Sequence, residues 1–182
     1  MNNFLPTVIL RHCKEKIKKC SLRWLEDRYD LKFFSYPQDL EALTSFFYTT
    51  ISSFSQYTSA YKTMDTSTLM LAKYVLLDLR GSPLSIKDQS MGLLLLDGTW
   101  KYAKKMFRTL SFSMELRSIP HMFRTAYPRT QNNCEDPIRG LSSVETIFIA
   151  HHILKKDTAD LLNTYYWKDL FLKKNQSLWN KF

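Results

Sequence analysis

Glycine and proline are scarce in this chain, 4 and 6 in 182 residues, which argues against collagen-like, elastic or proline-rich disordered classes. Cysteine is thin as well. Cys13, Cys20 and Cys134 make an odd set without a C-x-x-C pair, which excludes a disulfide framework and a complete cysteine zinc site. No long apolar run exists: the opening MNNFLPTVILRH returns to charge far short of the ~20 apolar residues that cross a bilayer. The expectation is a cytoplasmic protein with no membrane span or export signal. A P-loop, a G-x-G-x-x-G and a Ser-His-Asp order are also missing, so a nucleotide hydrolase or a triad hydrolase has no support. His151 and His152 are adjacent and fall on different sides of a helix, so no metal is expected. Acid is in deficit: 17 Asp and Glu face 26 Lys and Arg, a net charge of +9, which favours a polyanionic partner.

What is present reads as one compact α/β unit, because 45% of the residues are hydrophobic and 14% aromatic. FLPTVIL (residues 4–10), LKFFSYP (31–37) and KYVLLDLRG (73–81) are apolar, β-branched or aromatic runs suited to strands. LLLL (93–96) has the density of a strand buried on both faces, as in the middle of a parallel sheet. Ser21 is placed to cap a short helix after the basic segment that begins at Arg11. A helix is predicted over Leu40–Tyr48 and a helical turn at Ile86–Gln89, while the rest of 38–68 shows no clean period.

After Thr99 the period becomes helical, with Ala103, Met106, Phe107 and Leu110 as an apolar stripe and Lys101, Lys104, Lys105 and Arg108 as a basic one. Leu116–Pro120 reads as a connector and 123–140 as a long polar loop. LSSVETIFIAHHIL begins with a capping box, Ser142 and Glu145. A last helix is predicted over Thr158–Lys173, with Leu161, Leu162 and Tyr165 turned inward, joined by Tyr166 or Trp167.

Two readings stand for each candidate site residue. Asp97, at the carboxyl end of a buried strand beside Gly98, occupies the place where open α/β sheets bind ligands, and it could equally cap the next helix. Trp100 can stack on a planar ring or fill core. The basic stripe, followed by Arg117, Arg124, Arg129 and Arg139, suits phosphate contacts or a solvated face. Glu145 is an acid or base, or only a cap.

Four segments together carry a family resemblance: HCKEKIKKCSL (12–22), GSPLSIKD (81–88), LLLLDGTWKYAKKM (93–106) and TAYPRTQ through GLSSVETIFIAHHIL (125–154). With them the chain resembles the DTW-domain superfamily of RNA 3-amino-3-carboxypropyltransferases. The resemblance implies S-adenosylmethionine as donor. It also implies an α/β fold, with an N-terminal α/β region over 1–92 and a mostly helical, SPOUT-like, trefoil-knotted region over 93–182, the two sharing one core. Asp97 is the implied catalytic residue, contacting the donor's amino group or taking a proton. Ser21, Thr99, Trp100, Ala103, Ile119, Ser143 and Glu145 are the implied donor-site residues. Lys14, Lys18, Lys19, Lys101, Lys104, Lys105, Arg108, Arg124 and Arg129 are the expected RNA contacts.

The chain lacks the N-terminal cysteine cluster of many tRNA-modifying members, and its N-terminus looks like the rRNA branch. Its DGTW, however, is the spelling of the tRNA branch. The expected reaction is aminocarboxypropyl transfer to a base nitrogen of RNA by a monomer. The leading substrate is a tRNA uridine N3. The alternatives are the same transfer to small-subunit rRNA, an RNA methyltransferase of the knotted class, and a non-catalytic RNA-binding assembly factor.

Overall fold

The structure, a computed structural model, describes residues 5–50, 69–128 and 140–182. Cys134 and most of the polar loop at 123–140 lie outside the described residues. Five strands form one parallel sheet: β1 (Thr7–His12), β2 (Leu31–Tyr36), β3 (Tyr74–Pro83), β4 (Gly92–Asp97) and β5 (Glu115–Ser118). Their order across the sheet is β2-β1-β4-β3-β5. The helices described are α1 (Leu40–Tyr48), α2 (Trp100–Thr109), α3 (Ser143–Ile153) and α4 (Lys168–Lys174). The sheet does not divide at 92/93, since β4 lies between β1 and β3. Among the described residues no helix is long and apolar enough to cross a membrane.

The four leucines of β4 are explained by this central position. Leu93 and Leu95 point to the face shared with Ile9 and Val75, and Leu94 to the face shared with Val8, Leu10 and Leu76. Ile147 and Ala150 of α3 with Phe171 of α4 cover the first face, and Leu43 and Phe47 of α1 with Met106 of α2 cover the second. Every second leucine thus belongs to a different core. Each buried side chain of this size contributes roughly 1.5–3 kcal/mol, so a strand that is apolar on alternate residues alone could not hold both layers.

Three expectations needed correction. The connector at Leu116–Pro120 overlaps β5, a short edge strand whose residues are mostly half-exposed, so it lacks the apolar density that marks a buried strand. Gly81 lets it approach, because a Cβ there would stand 2.5 Å from the backbone nitrogen of Arg117. The final helix is only Lys168–Lys174; residues 159–164 are turns, with Asp160 at φ 62°. Leu161, Leu162 and Tyr165 are nevertheless buried, so the inward side was readable although the helix was not. Ser21 caps no local α-helix, since the segment holds a 3-10 turn at Ile17–Lys19 and then open turns.

The amino edge of the sheet is tied by buried polar groups from the segment after α3. Lys156 Nζ donates to the carbonyls of Leu5 and Met91, which lead into β1 and β4. His151 lies between Thr7 Oγ1 at 2.7 Å and the carbonyl of Asp157 at 2.9 Å. A carbonyl only accepts, so Nδ1 carries the proton and Nε2 accepts from the threonine. Burial, then the nearby Lys156, pushes His151 down to about 4, and burial pushes Lys156 down to about 7 against the pull of Asp30.

Unfolded Lys156 keeps its proton up to its ordinary value of 10.5, whereas the folded state releases it near 7. Between these values the unfolded state binds more protons, so the stability contributed by Lys156 rises with pH. Against Lys156→Met, the wild type should gain stability between about pH 6.5 and about pH 9.5 in parallel urea titrations. A difference that stays flat across that window would contradict the assignment.

Candidate active site

Chains leaving the carboxyl ends of the neighbours β1 and β4 diverge, one to β2 at one edge and the other across β3 to β5. Such a switch point is where open parallel sheets hold ligands. Arg11 and Asp97 meet there as register partners, with Arg11 Nε donating to Asp97 Oδ2 at 2.9 Å. Asp97 also accepts from Cys20 Sγ at 3.5 Å and from Ser143 Oγ at 2.6 Å, and is only 3% exposed. Arg11 Nη1 donates to Glu26 at 2.8 Å, its guanidinium carbon sits 4.7 Å above the ring of Phe33, and its buried Nη2 has no hydrogen-bond partner among the described residues.

Burial works against the guanidinium charge, but Glu26 and Asp97 outweigh it and raise Arg11 above its ordinary value. Burial, then Asp97, pushes Cys20 up to about 12, which keeps it a thiol able to donate. Asp97 does not cap α2; the N-cap is Thr99, without a side-chain cap bond.

A cavity of roughly 460 Å³ opens beside this junction, among the carboxyl ends of β3 and β4, α2, the segment after β5 and the start of α3. That volume is within the ~300–1,000 Å³ usual for small-molecule sites. Leu95, Leu96, Trp100, Ala103, Phe107 and Ile119 make an apolar wall. Asp78, Arg80, Lys104, Arg108, His121, Ser143 and Thr146 supply polar groups. Arg80 grips Asp78 through Nε at 2.7 Å and Nη2 at 2.8 Å and lies 4.4 Å above the ring of Phe107. Arg80 thereby holds the Asp78 carboxyl below its ordinary range against the opposing effect of burial.

Of the donor-site residues expected from the sequence, Trp100, Ala103, Ile119 and Ser143 line the cavity. Asp97 stands behind Ser143, and Thr99 is not in the wall. Ser21 Oγ accepts from the backbone N–H of Val144 at 3.3 Å, so it holds the first turn of α3 from a distant part of the chain. Glu145 is 0% exposed, and its carboxylate accepts from Thr125 Oγ1, Ala126 N, Ser142 N and Tyr165 Oη at 2.7, 2.7, 2.8 and 2.9 Å. The capping box seen in the sequence has become a buried hub with no face toward the cavity.

The basic stripe of α2 divides. Lys104 and Arg108 line the cavity, whereas Lys101 and Lys105 are exposed outside it, with Lys105 close enough to His12 to help lower it after burial has done so. Lys14 and Lys18 are exposed, the backbone of Lys19 closes a 3-10 turn, and Arg124 Nη1 donates to the carbonyls of His121 and Phe123. Arg129 lies outside the described residues. The sequence reading missed Arg11, Asp78, Arg80 and Phe107. Arg11 had a usable signal: a cation directly after the apolar run TVIL, as Asp97 directly follows LLLL.

Neither a family model nor a curated protein matches this sequence. Among solved structures the chain is similar to the SAM-dependent rRNA:acp-transferase Tsr3 from Vulcanisaeta distributa, with a TM-score of 0.61 and 19% identity over 98% of this chain and 83% of that one. At this identity the likeness establishes a shared α/β fold.

Glu145→Ala would strand the buried N–H groups of Ala126 and Ser142, each costing ~1–3 kcal/mol. A loss on the order of 3 kcal/mol or more is expected in urea unfolding, with Glu145→Gln losing less. A loss under about 0.5 kcal/mol would be inconsistent with the hub.

Proposed function

We propose that this protein transfers a 3-amino-3-carboxypropyl group from S-adenosylmethionine to a base nitrogen of RNA, with ribosomal RNA as the substrate class. The observation that carries this reading is the cavity walled by Trp100 and Ala103 of the DGTW helix, in a fold shared with a solved rRNA:acp-transferase. The tRNA uridine expected from the sequence gives way to rRNA because the solved protein of this fold acts on rRNA. The trefoil threading of 93–182, the division of roles at 92/93 and a monomeric state belong to the same reading.

The residues present fit such a donor. Trp100 with Leu95 and Ile119 offers an apolar slot for a purine. Ser143 has given its hydroxyl hydrogen to Asp97, so only its lone pairs remain for the cavity, and lone pairs suit an ammonium. Lys104 and Arg108 supply charge for a carboxylate. When bound, the donor supplies a methylene activated by its sulfonium. The task left to the protein is orientation, which decides whether this arm or the methyl faces the RNA.

Asp97 accordingly acts as a positioning residue. Its carboxylate fixes the Ser143 hydroxyl, and Arg11 holds that carboxylate in place. We favour positioning over direct proton acceptance because Arg11 and Cys20 already donate to Asp97 Oδ2 and Ser143 to Oδ1, with Ser143 standing in the cavity wall.

Carboxypropyl-labelled donor should place label in RNA while methyl-labelled donor should not. Methyl transfer alone would favour a methyltransferase, and RNA binding with no donor binding would favour a silent assembly factor. Ser143→Ala should weaken donor affinity about tenfold by calorimetry, the worth of one hydrogen bond to a charged group, and should also cost roughly 1–3 kcal/mol in urea unfolding, because it strips a bond from buried Asp97. Unchanged donor affinity would remove Ser143 from the site.

A further inference from the structure

Trp24 is unusual on two independent counts. It is 76% exposed, and its backbone takes φ 68°, the left-handed region that bulky residues avoid. Conformations of this kind persist only where surrounding contacts enforce them, and they cluster at functional positions. The contacts are present. Leu22 and Leu25 on either side are buried in the core at 0% and 4% exposure, and the N–H of Leu22 is bonded to Cys20 Sγ. Arg23 offers its carbonyl to Thr164 Oγ1 at 3.4 Å. Glu26 feels burial, but Arg11 and backbone N–H groups, including that of Trp24, hold it below its ordinary range. The chain therefore enforces a strained turn whose effect is to hold an indole ring in solvent.

The surroundings say what such a ring would meet. Lys14, Lys16 and Lys18 are exposed in the preceding ten residues, and Arg23 precedes Trp24 in the chain, its Nη1 braced on the carbonyl of Lys18 at 3.0 Å. The acids nearby are Glu15, Glu26, which pairs with Arg11, and exposed Asp27. A protruding aromatic among cations has the chemistry of a nucleobase platform. Aromatic rings beside cations are what single-strand binders use to stack bases and hold phosphates.

The turn is also tied to the cavity. Glu26, two residues after Trp24, forms with Arg11, Asp97 and Ser143 a continuous chain of contacts, and Ser143 lines the cavity wall.

The geometry points to Trp24 as a stacking platform for an unpaired RNA base, with Lys16, Lys18 and Arg23 on the adjoining phosphates. The protein would therefore take its RNA as a loop or single strand rather than as a duplex. This inference rests on the RNA reading above and specifies the form of the substrate.

The test is fluorescence anisotropy of a labelled single-stranded oligoribonucleotide and a labelled RNA duplex with the full chain, in the absence of donor. Stacking on one aromatic predicts that Trp24→Ala and Trp24→Gly weaken single-strand binding by about tenfold, while Trp24→Phe stays within about threefold. The salt slope should be unchanged in Trp24→Ala and shallower in a Lys16→Ala/Lys18→Ala pair. Glycine occupies φ 68° without strain, so Trp24→Gly should melt no lower than the wild type. Lost affinity in that variant then cannot be blamed on folding. Single-strand affinity unchanged in Trp24→Gly, or equal losses on strand and duplex, would overturn the platform. A wild type that binds neither RNA would overturn the RNA reading itself, and pull-down of a protein through Trp24 alone would point to a protein partner instead.

Discussion

Arg11 and Asp97 face each other across the two central strands at the point where the sheet changes winding direction. Much of the carboxyl edge is built on that ion pair. Two charges taken out of water are costly, and the cost is met only when further hydrogen bonds satisfy them. Here Glu26, Cys20 and Ser143 provide those bonds, so one pair recruits the turn before β2 and the first turn of α3 into the same network. Removing either partner would leave the other charge buried and uncompensated. That makes the junction stiff, and a stiff junction keeps Ser143 at a fixed place on the cavity wall.

The two ends of the sheet are organised differently. At the amino edge burial drives His151 and Lys156 toward their neutral forms, and both are spent on backbone carbonyls and a threonine. At the carboxyl edge the Arg11–Asp97 ion pair is bonded through Ser143 to the cavity wall. Between them the alternating leucines of β4 serve two separate cores, so the strand that ends in Asp97 is held on both faces. The chemistry therefore sits on rigid elements, while the basic and aromatic groups proposed to meet RNA stand on the turns around them.

Parts of this were legible in the sequence because they depend on local patterning. LLLL with no polar residue admitted only a strand covered on both sides, and the segment Leu40–Tyr48 had a helix whose ends coincide with those observed. Ser142 and Glu145 announced the start of α3. The same Glu145 shows where such patterning stops. A capping box is a relation across three residues, and it carries no information about Thr125 and Tyr165, which fill the rest of the carboxylate. β5 was missed because an edge strand is held by backbone pairing to β3, a force that leaves little mark on side-chain composition.

The sequence alone determined the strand-to-helix junction at Asp97, the two faces of α2 and the excess of positive charge, since each is a property of neighbours in the chain. Tertiary structure decided the partners: that Arg11, 86 positions away, is the counter-ion of Asp97, that Ser21 braces a helix 123 positions away, and that Lys104 and Arg108 line the cavity while Lys101 and Lys105 stay outside it. The physical reason is that a charge specifies only that it needs an opposite charge or a donor. Which one it receives depends on how the parallel strands are ordered, and that order is set by the packing of both cores at once.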